Sequence, residues 1–303
     1  MLCSNRVRKM QSYLRSKKGA AGLSVASNVM LVLFKLIVGL MTGSVSVLSE
    51  AIHSSIDLLA ALIAFFSVRV SEKPPDEDHP YGHGKIENIS GTVEALLILL
   101  AALYIFYEAV QKIIEGGQLE HVSLGVGIMG ISAVANTFIS RFLMRVANKT
   151  DSLALEADAK HLSADVLTSV GVFAGLVIVR ITGLTVLDPI IAIAVSLFIC
   201  KTAYDLTKRS SSGLLDAKLP QDEENVIVGI LNRHCSQFVS FHSLRSRKAG
   251  SRRHVDLHLE VDGDINVVEA HSICDHLEQE IESQLPNTEV TIHVEPASEN
   301  RTA

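Results

Sequence analysis

The sequence predicts a polytopic α-helical membrane protein of six transmembrane helices, followed by a small C-terminal α+β domain of order αββαβ. Three observations carry this. Residues 20–209 are dominated by long apolar runs, residues 210–303 have the charge density of a soluble domain, and the tail alternates apolar and polar residues at strand period. The 303 residues are 48% hydrophobic and only 20% charged, and the charges are unevenly spread. A net charge of −6 argues against a nucleic-acid partner. The four cysteines (Cys3, Cys200, Cys235, Cys274) form no CxxC pair, so they read as free thiols of a reducing compartment.

The chain divides into a basic N-terminus (1–19), a transmembrane domain (20–209) and a C-terminal domain (210–303). The first apolar run is longer than the core of a cleaved signal, so it reads as a membrane span. The six spans fall at about 20–42, 45–69, 87–114, 122–147, 155–181 and 184–207, each near the ~20 residues that a bilayer requires. Every span carries polar residues, which predicts a bundle with a polar interior. Basic residues set the orientation. Arg6, Arg8, Lys9, Arg15, Lys17 and Lys18 precede the first span. Arg69, Lys73 and Lys85 mark the second connection, and Arg145, Lys149 and Lys160 the fourth. The connections "TGS", "EGGQLEH" and "ITGLT" hold almost none, so both termini and the C-terminal domain are expected on the cytoplasmic side.

In the tail, "QDEENVIVGILNRH" is an amphipathic helix after Pro220, and "FVSFHSLRSRKAG" is a strand ending in a turn. In "RRHVDLHLEVDGD", Val255, Leu257, Leu259 and Val261 share one face; His254, Asp256, His258 and Glu260 share the other. Ala270, Ile273, Cys274, Leu277 and Ile281 form one helical stripe, and Val290, Ile292 and Val294 point inward from a last strand. Two helices are expected to cover one face of this small sheet.

The chemistry lies in ionisable residues inside apolar runs. His53 and Asp57 in "SEAIHSSIDLL" stand four residues apart, on one helical face. The spelling recurs as His161 and Asp165 in "AKHLSADVL". Either pair alone could be a hydrogen bond between core groups. Two such pairs on two spans supply two imidazoles and two carboxylates, a full shell for a tetrahedral divalent ion whose charge the carboxylates neutralise. In the second connection Asp76, His79 and His83 read as a weaker, exposed metal site or as a solvated acidic turn. In the tail His242, His258, His271 and His293, with Glu295, read as ligands for one or two zinc ions or as scattered surface histidines. Lys35, Glu94, Glu108 and Asn136 are taken as packing or partner groups within the spans, and Glu50 as a group near the outer mouth of the pathway.

On these residues, on "DEDHPYGHGKIE" and on the αββαβ tail, nearly the whole chain resembles the cation diffusion facilitator family, in particular bacterial zinc/iron-type exporters with a metallochaperone-like (ferredoxin-like) cytoplasmic domain. The resemblance implies a transport site at His53, Asp57, His161 and Asp165 and a loop site at Asp76, His79 and His83. It also implies a cytoplasmic binuclear site at His242, His258, His271, His293 and Glu295, and a dimer charge interlock of Lys85 with Asp216. Two positions depart from the family's best-studied bacterial zinc branch: His53 stands where that branch has Asp, and Glu295 where the last tail ligand is usually Asp. The resemblance further implies a homodimer in the bacterial inner membrane that exports Zn²⁺, with Cd²⁺, Co²⁺ or Fe²⁺ as further substrates, in exchange for protons. Zinc is expected at both the transport and the regulatory sites. The alternatives are a non-transporting metal receptor or assembly partner, or an exporter whose main substrate is iron or manganese. No nucleophile motif or phosphate loop suggests an enzyme.

Overall fold

The structure, a computed structural model, describes residues 16–115, 124–184 and 186–297. Cys3, the basic residues before Ser16 and most of the "EGGQLEH" connection lie outside the described residues. The chain divides into two compact units, Met1–Ser211 and Ser212–Ala303.

Among the described residues the first unit has six helices long and apolar enough to cross a membrane. They are α1 (Lys17–Thr42), α2 (Val45–Ser71), α3 (Lys85–Glu115), α4 (Leu124–Thr150), α5 (Leu153–Thr182) and α6 (Leu187–Leu214), the last of which ends just past the unit boundary. Each matches an expected span, and the protein is an integral membrane protein. Hydroxyl side chains start three of these helices: Ser16, Ser44 and Ser152 accept hydrogen bonds from Gly19, Val47 and Leu155 amides. Gly43 and Gly183 end α1 and α5 in the left-handed region, at φ 64° and 73°, where a Cβ would be strained.

Lipid gives two apolar helices no hydrophobic reason to associate, so close backbone approach must do the work. The helix contacts are accordingly built on alanines. Ala20, Ala21, Ala147, Ala154 and Ala159 pack with Leu143, Leu155 and Leu162. Ala95, Ala102, Ala157 and Ala203 pack with Ile98, Ile199 and Leu206. Large apolar side chains such as Met30, Leu40, Phe138, Phe173 and Phe198 are turned outward and exposed, which suits a lipid surface.

One buried carboxylate ties the helices together at one end. Glu87 of α3 is 1% exposed. Its Oε1 accepts from Lys17 Nζ of α1 at 2.9 Å and from Ser71 Oγ of α2 at 3.0 Å, and its Oε2 accepts from Ser152 Oγ, the cap of α5, at 2.6 Å.

The second unit contains α7 (Gln221–Arg233), β1 (Ser240–Ala249), β2 (Arg252–Val261), α8 (Val267–Gln284) and β3 (Thr288–Pro296), the expected αββαβ order. β1 pairs with β2 antiparallel and β2 with β3 parallel, giving sheet order β1-β2-β3. Val255, Leu257, Leu259 and Val261 enter one core with Ile227, Ile230 and Leu231 of α7 and Cys274, Leu277 and Ile281 of α8. Val290, Ile292 and Val294 pack against it. Asn266 and Glu269 form a reciprocal capping box at the start of α8. Arg253 fastens β2 to α7 through two hydrogen bonds to Glu223, at 2.8 and 2.6 Å.

Removing one member of a buried ion pair costs about 3–5 kcal/mol. Glu87→Ala is therefore expected to lower the thermal stability of the full-length protein in detergent markedly. The double change Lys17→Met with Glu87→Leu should recover much of the loss. Unchanged melting of Glu87→Ala would show that this carboxylate holds nothing together.

Candidate metal sites

The two HxxxD pairs meet between α2 and α5. His161 Nε2 lies 3.4 Å from Asp57 Oδ1. His53 Nε2 lies 3.9 Å from Asp57 Oδ1 and 3.9 Å from Asp165 Oδ1. Donor atoms of His53, Asp57 and Asp165 all lie within 4.8 Å of one another, and His161 joins them through Asp57. Ligands about 2.1 Å from a tetrahedral ion stand ~3.4 Å apart, so the spacing is close to that of a coordination shell. Asp57 is 4% and His161 7% exposed, whereas the His53 side chain is 54% exposed. The quartet thus has a buried end and an open end. Asp165 Oδ2 is buried with no hydrogen-bond partner among the described residues, an orphaned oxygen that an ion would satisfy.

Beside the quartet, Lys35 of α1 is 2% exposed; its Nζ pairs with Glu50 Oε2 at 3.1 Å and donates to Ser54 Oγ at 2.8 Å. Glu50, expected near a pathway mouth, is thus the partner of a buried lysine. Glu108 accepts from Tyr104, four residues before it. Asn136 is buried, and both oxygens of Glu94 are buried without a hydrogen-bond partner among the described residues.

The second connection brings its three predicted residues together. His79 Nδ1 lies 3.1 Å from Asp76 Oδ1, His83 Nε2 lies 3.3 Å from Asp76 Oδ2, and the two rings are 4.5 Å apart between centroids. The His79 amide donates to Asp76 Oδ1 at 2.7 Å. That backbone hydrogen bond holds the Asp76 carboxyl below its ordinary pKa.

In the tail, register builds the site. β1 sets His242 opposite His258, and β3 sets His293 beside His258 and Glu295 beside Glu260. Three histidines therefore form one row across the sheet, on the face away from its apolar core. Glu295 Oε2 lies 3.2 Å from His242 Nε2, and its Oε1 lies 2.9 Å from His258 Nδ1 and 3.6 Å from His293 Nε2. The longer glutamate arm reaches every histidine in the row. Burial works to raise its pKa, but the hydrogen bonds from His258 and His242 outweigh it, and the carboxyl titrates below its ordinary value. Glu260 also approaches, 3.6 Å from His242 Nε2. Strand alternation places it on this face without marking it as a donor. His271 is not brought to the row; its Nε2 lies 3.6 Å from Asp275 on the same helix. Lys85 opens α3, and Asp216, in the tail, accepts from Arg247 at 3.4 Å.

Comparison with known proteins matches residues 22–215 to the cation efflux transmembrane domain and 219–297 to the cytoplasmic domain of cation efflux proteins. The uncharacterized transporter sll1263 of Synechocystis sp. (strain ATCC 27184 / PCC 6803 / Kazusa) is 34% identical over 84% of this chain and 82% of its own. The cation-efflux pump FieF of Klebsiella pneumoniae is 31% identical over 95% of each chain. The solved zinc form of CzrB is 38% identical over 28% of this chain and 96% of its own, with a TM-score of 0.26.

The loop geometry sets a pH dependence. The Asp76 pKa is depressed, so its contribution to loop order is complete above its ordinary value of 3.8 and is lost only as pH falls through the lower folded value. In amide hydrogen exchange, protection of the His79 amide is expected to persist at pH 4 and to disappear at any pH in Asp76→Ala. Equal exchange in the wild type and the variant would show that this hydrogen bond does not organise the connection.

Proposed function

We propose, for a chain that belongs to the cation diffusion facilitator family of cation efflux proteins, that it exchanges a divalent metal ion, zinc first, for protons. The observation that carries this reading is Asp57: a carboxylate 4% exposed between two spans, approached by His53 of its own helix and His161 of α5. Such a carboxylate needs a cation to remain ionised in an apolar bundle. Two imidazoles and two carboxylates suit zinc, whereas an all-carboxylate shell would suit manganese. Cadmium, cobalt and iron(II) are accepted by the same donor types.

The exchange is rooted in ligand chemistry. Metal binding requires neutral imidazoles and ionised carboxylates, so protons and metal compete for the same atoms. An imidazole with an ordinary pKa of ~6.5 takes or loses its proton close to physiological pH. A proton gradient directed into the cell loads His53 and His161 from outside and ejects the ion. Rocking of the helices about the quartet gives each side access in turn.

The remaining sites complete the reading. The protein acts as a homodimer in a bacterial inner membrane with both termini cytoplasmic, and Lys85 and Asp216 form its charge interlock. Ions held by the row of His242, His258, His293 and Glu295, with His271 as a further donor, draw two tails together and favour transport. The loop group of Asp76, His79 and His83 holds metal more weakly.

The test is zinc flux in liposomes bearing the purified full-length protein, against an imposed pH gradient. Flux should rise with the gradient. Loss of an outer hydrogen-bonding partner of a metal ligand already costs ~10–100-fold, so Asp57→Ala and Asp165→Ala should lose at least that. Equal flux in either variant would sink the site assignment, and no flux in the wild type would favour a receptor. His258→Ala with His293→Ala should flatten the dependence of flux on cytoplasmic zinc.

A further inference from the structure

The tail holds a second cluster of donor atoms, on its helical layer, across the sheet from the histidine row. His234 caps the C-terminus of α7, and His276 and Glu280 stand four residues apart on α8. One donor atom from each lies within 4.8 Å of the other two. His234 Nε2 is 2.5 Å from Glu280 Oε2, and the two imidazoles meet edge to face with centroids 4.7 Å apart.

We propose that His234, His276 and Glu280 form a further binding site for a zinc-class divalent ion, bridging α7 to α8. The helix spacing alone would not argue this; the neighbours do. Ile230 and Leu231 on α7, and Leu277 and Ile281 on α8, are fully buried in the tail core. Each donor therefore projects from backbone that the core already holds in place. His234 and Glu280 by themselves make an ordinary ion pair. His276 adds nothing to that pair as a hydrogen-bonding group: among the described residues its side chain has only the ring contact with His234. Its value is a second nitrogen lone pair beside a carboxylate, the His₂Glu donor set of open zinc sites.

The outer contacts suit a ligating carboxylate. Glu280 Oε1 accepts from Arg233 Nη2 at 2.7 Å and from Gln284 Nε2 at 3.3 Å, which orients the group and leaves Oε2 facing the imidazoles. Gln237 Nε2 lies 3.5 Å from His234 Nδ1. With an ion on Nε2, Nδ1 carries the proton and the Gln237 amide turns its oxygen to accept it. Three protein donors leave one position for water. The Arg233 charge opposes a cation, so this site binds more weakly than the quartet between α2 and α5.

Zinc bound per chain, measured by equilibrium dialysis and metal analysis on the full-length protein in detergent, tests the assignment. His276→Ala should bind one equivalent fewer than the wild type, and adding Glu280→Gln should remove nothing more. Arg253→Gln, which loosens the hold of β2 on Glu223 of α7 rather than a partner of this cluster, should keep the full number. Wild-type stoichiometry in His276→Ala would reduce the cluster to an ion-pair network and overturn the proposal. Loss of the same equivalent in Arg253→Gln would trace the effect to loosening of the tail and overturn it too. The readout needs no transport, so it stands or fails apart from the exchange mechanism; Asp57→Ala should remove a different equivalent.

Discussion

The membrane unit depends on Glu87. A carboxylate in an apolar bundle is costly unless its oxygens are satisfied, and here three side chains from three other parts of the bundle supply the donors. Because the partners come from α1, from the end of α2 and from the cap of α5, satisfying one charge fixes where three helices sit relative to α3. The alanine contacts then set how closely the helices approach. Packing in such a bundle is permissive along the helix axis, since one apolar turn resembles the next. A buried, fully bonded carboxylate is not permissive, and this end of the bundle has one arrangement that satisfies it.

Other ionised groups of the bundle are answered by fixed charges. Lys35 is answered by Glu50 and Ser54, Lys112 by Asp188 at 2.7 Å, and Glu156 by Arg209 and Lys160 at 3.0 and 2.9 Å. These are permanent pairs of opposite sign. Asp57 and Asp165 are approached by imidazoles, whose charge comes and goes with a proton. A carboxylate whose partner can become neutral must take a proton or another cation, and this distinguishes the quartet from the ion pairs around it.

In the tail, one register decision does the corresponding work. β2 lies between an antiparallel and a parallel neighbour, and both ladders bring a histidine level with His258. A one-residue slip of β3 would send His293 to the core face and Val290, Ile292 and Val294 to solvent. The apolar core that fixes the register therefore also assembles the polar row.

Much of this is legible in the residues. Apolar run length marks the six helices, the two-residue period marks β2 and β3, and the i,i+4 spelling of His53 with Asp57 and His161 with Asp165 marks the quartet, because helix and strand periods are local properties of the chain. Glu87 carries no such signal, and Glu50 reads from sequence as a group at a pathway mouth. Neither fate is a local property, since the partner of Glu87 stands 70 residues away in Lys17 and that of Glu50 lies in another helix. The meeting of His234 with His276 likewise depends on how α7 and α8 pack against each other. Spacing along one element decides which side chains share a face; only packing between elements decides what that face meets.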